Sequence, residues 1–178
     1  MFDRKCKITF IAHGATIHSE ENRVSKNDNY PPINEAGEEE IQKICEWLKN
    51  RAIKNDRIYT SPALRTTQSA QMISKVFKKD FEVLEGLSPK SPGLKDNGET
   101  EEEFNKRISK IIKKVVNDNI GNRIIIVTHP DVIQSAVASA IKLPAKYRTN
   151  IYIKTGSATQ ISYFETWASL IYSDYVPL

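Results

Sequence analysis

Two of the chain's three histidines stand where apolar runs end: His13 closes "CKITFIA" and His129 closes "NRIIIVT". An arginine and a carboxylate hold comparable places, Arg65 after "RIYTSPAL" and Glu85 after "FEVL". Two imidazoles, a guanidinium and a carboxyl can together carry phosphoryl transfer. A neutral His13 can attack phosphorus and hold the group as a phosphohistidine, which divides hydrolysis into two easier steps. Arg65 can grip two phosphate oxygens with its planar fork, helped by the start of its own helix. A protonated His129 would add a charged donor to the transferring group. Glu85 can give a proton to the leaving oxygen and then take one from the attacking water. The third histidine, His18, lies in a polar stretch and reads as solvent-facing. Zinc sites usually show ligands three or four residues apart, and no such cluster exists here, so neither a metal nor a cofactor is expected.

These four residues can meet only if the elements between them bring the ends of several strands to one edge. Strands are expected over Cys6 to Ala12, Arg57 to Thr60 and Phe81 to Leu84, in "NRIIIVT", and in "ATQISYFE" and "SLIYS" near the C-terminus. Asn34 offers an N-cap for a helix from about Glu35 to Arg51, with Ile41, Ile44, Cys45 and Leu48 on its buried face. A second helix runs through "ALRTTQSAQMISKVF" with Ala70, Ile73, Val76 and Phe77 inward. Thr100 and Glu103 form a capping box for a third, striped by Phe104, Ile108, Ile111, Ile112 and Val115. Pro130 suits the first turn of a fourth. Alternating strands and helices imply an α/β sandwich on a mostly parallel sheet, the architecture in which ligands bind at the carboxyl ends of the strands.

Composition narrows the class. With 178 residues, 39% hydrophobic and 27% charged, the chain suits a single domain over 1–178 with a sizeable core. The 26 basic and 22 acidic residues are interspersed, which reads as a solvated surface, and no basic block with interleaved aromatics points to nucleic acid. Cys6 and Cys45 suggest buried thiols in a reducing compartment rather than a disulfide. "ITFIA" is too short for a secretory core, and no run reaches the length of a membrane span, so a cytoplasmic location without membrane contact is expected.

The ordered segments resemble the histidine phosphatase superfamily in its phosphoglycerate-mutase-like branch. "AHGAT" at Ala12 to Thr16 is similar to the Arg-His-Gly signature after the first strand, and "YTSPALRTTQSAQMI" at Tyr59 to Ile73 to the Ser-Pro-x-x-Arg segment. "PPINEAG", "VLEGLSP", "NGETEEEFNKRI" and "IIIVTHPDVI" resemble, in order, the segment opening the first helix, the proton-donor segment, the Gly-Glu-Ser segment and the Thr-His segment. The resemblance implies the family fold, a three-layer α/β/α sandwich on a mostly parallel sheet, and metal-independent chemistry with His13 phosphorylated. It implies Arg65 and His129 as phosphate-pocket residues, with Gly14, Ser19 and Arg23 as further phosphate contacts and Glu85 as proton donor. The substrate would be a phosphorylated small molecule or a phosphoprotein; the oligomeric state stays open.

One position departs. Ala12 stands where the family places its first arginine. A charge-assisted hydrogen bond is worth about 1.5 to 3 kcal/mol, so its loss would slow turnover by roughly tenfold to well over a hundredfold. Either a loop cation such as Arg23, Lys26, Lys90 or Lys95 takes its place, or the pocket persists as an anion-binding or regulatory module without turnover. A leaving group that needs little protonation, such as the imidazole of a phosphohistidine, would relax the demand on Glu85. The short "SPKSPGLKDNG" offers no long lid, which makes a mutase the weaker reading.

Overall fold

The computed structural model describes residues 4–17, 31–90 and 98–178. His18, Ser19, Arg23, Lys26 and Lys95 lie outside the described residues.

Six strands form one sheet: β1 (Arg4–Ala12), β2 (Arg57–Thr60), β3 (Phe81–Val83), β4 (Arg123–Thr128), β5 (Ala158–Phe164) and β6 (Ala168–Tyr175). Their spatial order is β3-β2-β4-β1-β5-β6. The first four in chain order run parallel, β1 and β2 flanking β4 and β3 beside β2, whereas β5 and β6 are antiparallel additions on the other side of β1. The helices are α1 (Glu35–Asn50), α2 (Leu64–Phe77), α3 (Glu101–Asp118) and α4 (Pro130–Ala140).

Side-chain alternation builds the three layers. In β4, Ile124 and Ile126 join Phe104, Ile108, Val132 and Ile133 in a core shared with α3 and α4. Ile125 and Val127, pointing the other way, join Ile41, Ile44, Leu48 and Ile73 in a core shared with α1 and α2. A central strand apolar on both faces must be covered on both, which is why "RIIIV" reads as a continuous run.

Local signals explain the element ends. Asn34 accepts from Gly37 N–H at 2.9 Å and starts α1. Thr100 and Glu103 form the reciprocal capping box of α3. On α2 the buried face is Thr66, Ser69, Ala70 and Ile73, while Val76 and Phe77 are only partly buried, so the stripe is shifted toward the helix start. Two 3-10 turns, Glu85–Leu87 and Ala145–Asn150, join the regular elements. Among the described residues no helix is long and apolar enough to cross a membrane.

Candidate active site

Parallel pairing of β2, β4 and β1 sets Ser61, His129 and His13 side by side just beyond the strand ends. The ladder continues through them, because His13 N–H donates to Thr128 O at 3.0 Å and Ser61 N–H to Val127 O at 3.1 Å. Both histidines are buried, with ring centroids 5.3 Å apart in an edge-on arrangement. Arg65, in the first turn of α2, reaches across and donates from Nε to His13 Nε2 at 3.2 Å.

These contacts fix the chemical state of His13. Gly14 O, a carbonyl that can only accept, lies 2.8 Å from Nδ1, so Nδ1 carries the proton. Nε2, which accepts from Arg65, must therefore present a lone pair. Burial pushes the His13 pKa down to about 4; the Gly14 carbonyl opposes this by favouring the charged ring, and the Arg65 charge reinforces it. The ring is thus a neutral imidazole at ordinary pH with its nucleophilic nitrogen turned toward a guanidinium.

His129 is also neutral, which corrects the expectation of a protonated donor. Burial, the neighbouring His13, and the charges of Arg65 and Arg107 all push its pKa well below the usual histidine value. Its Nε2 lies 2.8 Å from Ser61 Oγ, and its Nδ1 is buried with no hydrogen-bond partner. His129 is the N-cap of α4 and Pro130 follows at the first helical position, so the positive end of the helix faces the pocket. The start of α2, which lacks a side-chain cap, faces it too.

The loop carrying His13 is held on every side. His13 O accepts from Gly156 N–H at 3.0 Å, Gly14 N–H donates to Ser69 Oγ at 3.1 Å, and Ala15 N–H donates to Glu40 Oε2 at 2.9 Å. Gly14 and Gly37 meet backbone to backbone: a Cβ on Gly14 would sit 2.4 Å from Gly37 O, and one on Gly37 2.2 Å from Ala15 O. The role of Gly14 here is close approach of α1, with its N–H committed to Ser69 rather than aimed at an anion.

Glu85 opens the 3-10 turn after β3 and is exposed. The segment behind it is fastened by Arg107, which bonds Gly86 O and Ser88 O through Nη1, Pro89 O through Nη2, and the Glu99 carboxylate through Nε and Nη2. All five guanidinium donors are engaged, so Arg107 acts as a strut and contributes its charge to the pocket at a distance. Thr128 Oγ1 adds a bond to Leu87 O, and Asp131 Oδ2 accepts from Lys90 N–H at 2.7 Å. Of the cations expected to replace an arginine at position 12, Lys90 is engaged elsewhere, paired with Glu101 at 2.6 Å. Ala12 itself is wholly buried in the α3/α4 core.

Ser61, Ser69, Glu40, Arg107 and Asp131 were not singled out from the sequence. Ser61 had a signal, since it follows β2 as His129 follows β4. Glu40, Ser69 and Arg107 lie on helix faces that look like any solvated or buried surface until the loops are in place. Among the described residues, no three His, Cys, Asp or Glu side chains are grouped so as to hold a metal ion.

The sequence matches the histidine phosphatase superfamily (branch 1) over residues 8–93 and 88–171, nearly the whole chain. This chain belongs to the histidine phosphatase superfamily. No curated protein matches it in sequence. Solved structures share the superfamily fold at low identity. YhfR of Bacillus stearothermophilus superposes with a TM-score of 0.88 at 18% identity, over 96% of this chain and 98% of its own. The alpha-ribazole phosphatase of Shigella flexneri gives 0.83 at 18% over 95% and 96%. A mutant phosphoserine phosphatase of Entamoeba histolytica, in complex with phosphoserine, gives 0.81 at 15% over 95% and 96%. His13 and His129 stand at the carboxyl ends of the central parallel strands, where open α/β sheets bind their ligands.

Proposed function

We propose that this protein is a metal-independent phosphatase in which His13 Nε2 takes the phosphoryl group of a phosphomonoester or a phosphohistidine. The observation that carries the reading is the locked neutral tautomer of His13, with Nδ1–H on Gly14 O and a lone pair on Nε2 beside Arg65 and His129. A nucleophile must have a free pair at working pH, and burial keeps one here.

In the first step the Nε2 lone pair forms a bond to phosphorus as the bond from phosphorus to the leaving atom breaks, the oxygen of a phosphomonoester or the imidazole nitrogen of a phosphohistidine. The leaving atom takes a proton, which Glu85 would supply. Arg65 moves its fork from His13 to the phosphoryl oxygens, and His129 Nδ1–H donates to the same group. In the second step water attacks phosphorus, Glu85 takes its proton, and the phosphorus–nitrogen bond breaks to return the lone pair to Nε2. The products are the dephosphorylated leaving group and inorganic phosphate. The names of the superposed phosphatases support a small phosphorylated substrate.

The test is hydrolysis of p-nitrophenyl phosphate in EDTA by the natural protein and by His13→Ala, with quenching in alkaline denaturant to trap an acid-labile, base-stable phosphoenzyme. Turnover and trapping that both vanish in His13→Ala support the reading. Turnover that needs an added metal, or that survives His13→Ala, overturns it. Binding of phosphate without turnover would favour the anion-binding module instead.

A further inference from the structure

At the other end of the sheet, on the face that packs α1, the central strands turn polar. β1 alternates Cys6, Ile8, Phe10 and Ala12 into the α3/α4 core, so Lys7 and Thr9 fall on the opposite face, where Ile11 continues the apolar packing. Arg123 opens β4 directly beside Lys7, and Gln160 on β5 pairs with Thr9. These side chains, with Trp47, Arg51, Lys54 and Tyr172, line a cavity of about 280 Å³ beside the last turn of α1.

The lining is one-sided in charge. Among the described residues it contains four cations, Lys7, Arg51, Lys54 and Arg123, and no acidic residue. Among the described residues, no carboxylate forms an ion pair with the side chains of Arg51, Lys54 or Arg123. A cation at the C-terminal end of a helix is ordinary, which accounts for Arg51. It does not account for Lys7 and Arg123, which come from the sheet. A second observation points the same way: Trp47 is only 8% exposed and its indole Nε1–H has no acceptor. A buried donor left without a partner is costly, and Trp47 stands in the wall of this cavity.

We propose that this cavity is a second anion site, separate from the pocket at His13, for a small molecule bearing two or more phosphate charges. Guanidinium forks suit phosphate oxygens, and a concave wall of one charge sign focuses the field on an anion. Free pyrophosphate and the phosphate tail of a nucleotide share this chemistry. Trp47 and Tyr172, edge-on at 6.2 Å, give an aromatic wall against which a base would rest.

The chain has two tryptophans, so Trp167→Phe leaves Trp47 as the sole reporter. This variant is titrated with inorganic pyrophosphate and with the non-hydrolysable β,γ-imido analogue of ATP at physiological salt, by fluorescence and by calorimetry. The expected result is saturable binding that weakens about tenfold or more in Arg51→Ala/Arg123→Ala and is unchanged in Arg65→Ala, which disables the His13 pocket instead. Tighter binding of the nucleotide analogue assigns the base to the aromatic wall; equal binding assigns the phosphates alone. Absence of binding by both methods up to about 5 mM, equal affinity in Arg51→Ala/Arg123→Ala, or loss of binding in Arg65→Ala overturns the proposal.

Discussion

Arg65 Nε donates to His13 Nε2 across 3.2 Å, so the guanidinium caps the lone pair that would attack phosphorus. The bond is compatible only with an unprotonated Nε2. In the proposed reaction an arriving phosphate would draw Arg65 away from His13, and the same motion would free the nucleophile and clamp its target.

The first prediction concerns protonation. The His13 ring titrates near 4 instead of the ordinary 6.5, with the proton on Nδ1 throughout the neutral range. Above 6.5 folded and unfolded chains are both neutral at this residue, and it contributes no pH dependence. Between 6.5 and 4 the unfolded chain takes up a proton that the folded one refuses, so stability falls as pH falls and levels off below 4. The full penalty is on the order of 3 kcal/mol. Imidazole nitrogen shifts in the free protein check the midpoint and the tautomer. A His13 midpoint near 6.5 would contradict the burial argument.

The second prediction concerns Ser61. For His129 Nδ1 to donate to a phosphoryl oxygen, Nε2 must accept, and Ser61 Oγ at 2.8 Å is placed to give it a proton. Ser61→Ala removes that partner and lets the proton settle on Nε2. The expected outcome is a shift of the His129 nitrogen resonances toward the other tautomer and a fall in kcat of about ten- to a hundredfold, with KM changed less. Ser61→Thr keeps a hydroxyl and should restore much of the loss. Unchanged His129 resonances in Ser61→Ala would mean that Ser61 only packs.

The third prediction concerns Ala12. Its side chain is wholly buried in the α3/α4 core, on the same face of β1 as Phe10. Ala12→Arg must push packed atoms aside and bring a charge with it. Melting should fall by several degrees, in line with about 1–3 kcal/mol for overpacking. Calorimetric melting beside p-nitrophenyl phosphate turnover decides the matter. A variant as stable as the natural chain and faster in turnover would show that the core yields an arginine pocket at little expense.

Much of this was legible in the sequence because the signals are local. "RIIIVT" must be an inner strand, Asn34 and Thr100 are helix starts by their chemistry, and His13 and His129 end the two strands that pair directly. The antiparallel pairing of β5 and β6 was not legible, since strand direction depends on where the chain goes after each strand. Contacts across long separations were hidden for the same reason. Ser69 is buried on α2 because Gly14, 55 residues earlier, needs its hydroxyl, and Gly37 is glycine because the loop after His13 lies against it. A polar side chain on a helix face gives no advance sign of the loop it will serve.

The last prediction concerns Arg107. Its five donors fasten Gly86, Ser88 and Pro89 to the Glu99 carboxylate, so the residue sets where the turn beginning at Glu85 comes to rest. Lysine has one ammonium and cannot span these acceptors. Arg107→Lys therefore leaves several carbonyls of that segment without donors, and stability should fall by about 2–4 kcal/mol. Amide exchange should quicken at residues 86–90 while β1 and β4 stay protected. If Glu85 gives the proton, the kinetic cost must depend on the leaving group, because a poor one needs the acid and a good one does not. Turnover of an alkyl phosphate should then drop about tenfold more than turnover of p-nitrophenyl phosphate. Equal losses on both substrates would place the defect in the phosphate pocket and remove Glu85 from the mechanism. Losses on neither would make the strut one of stability alone.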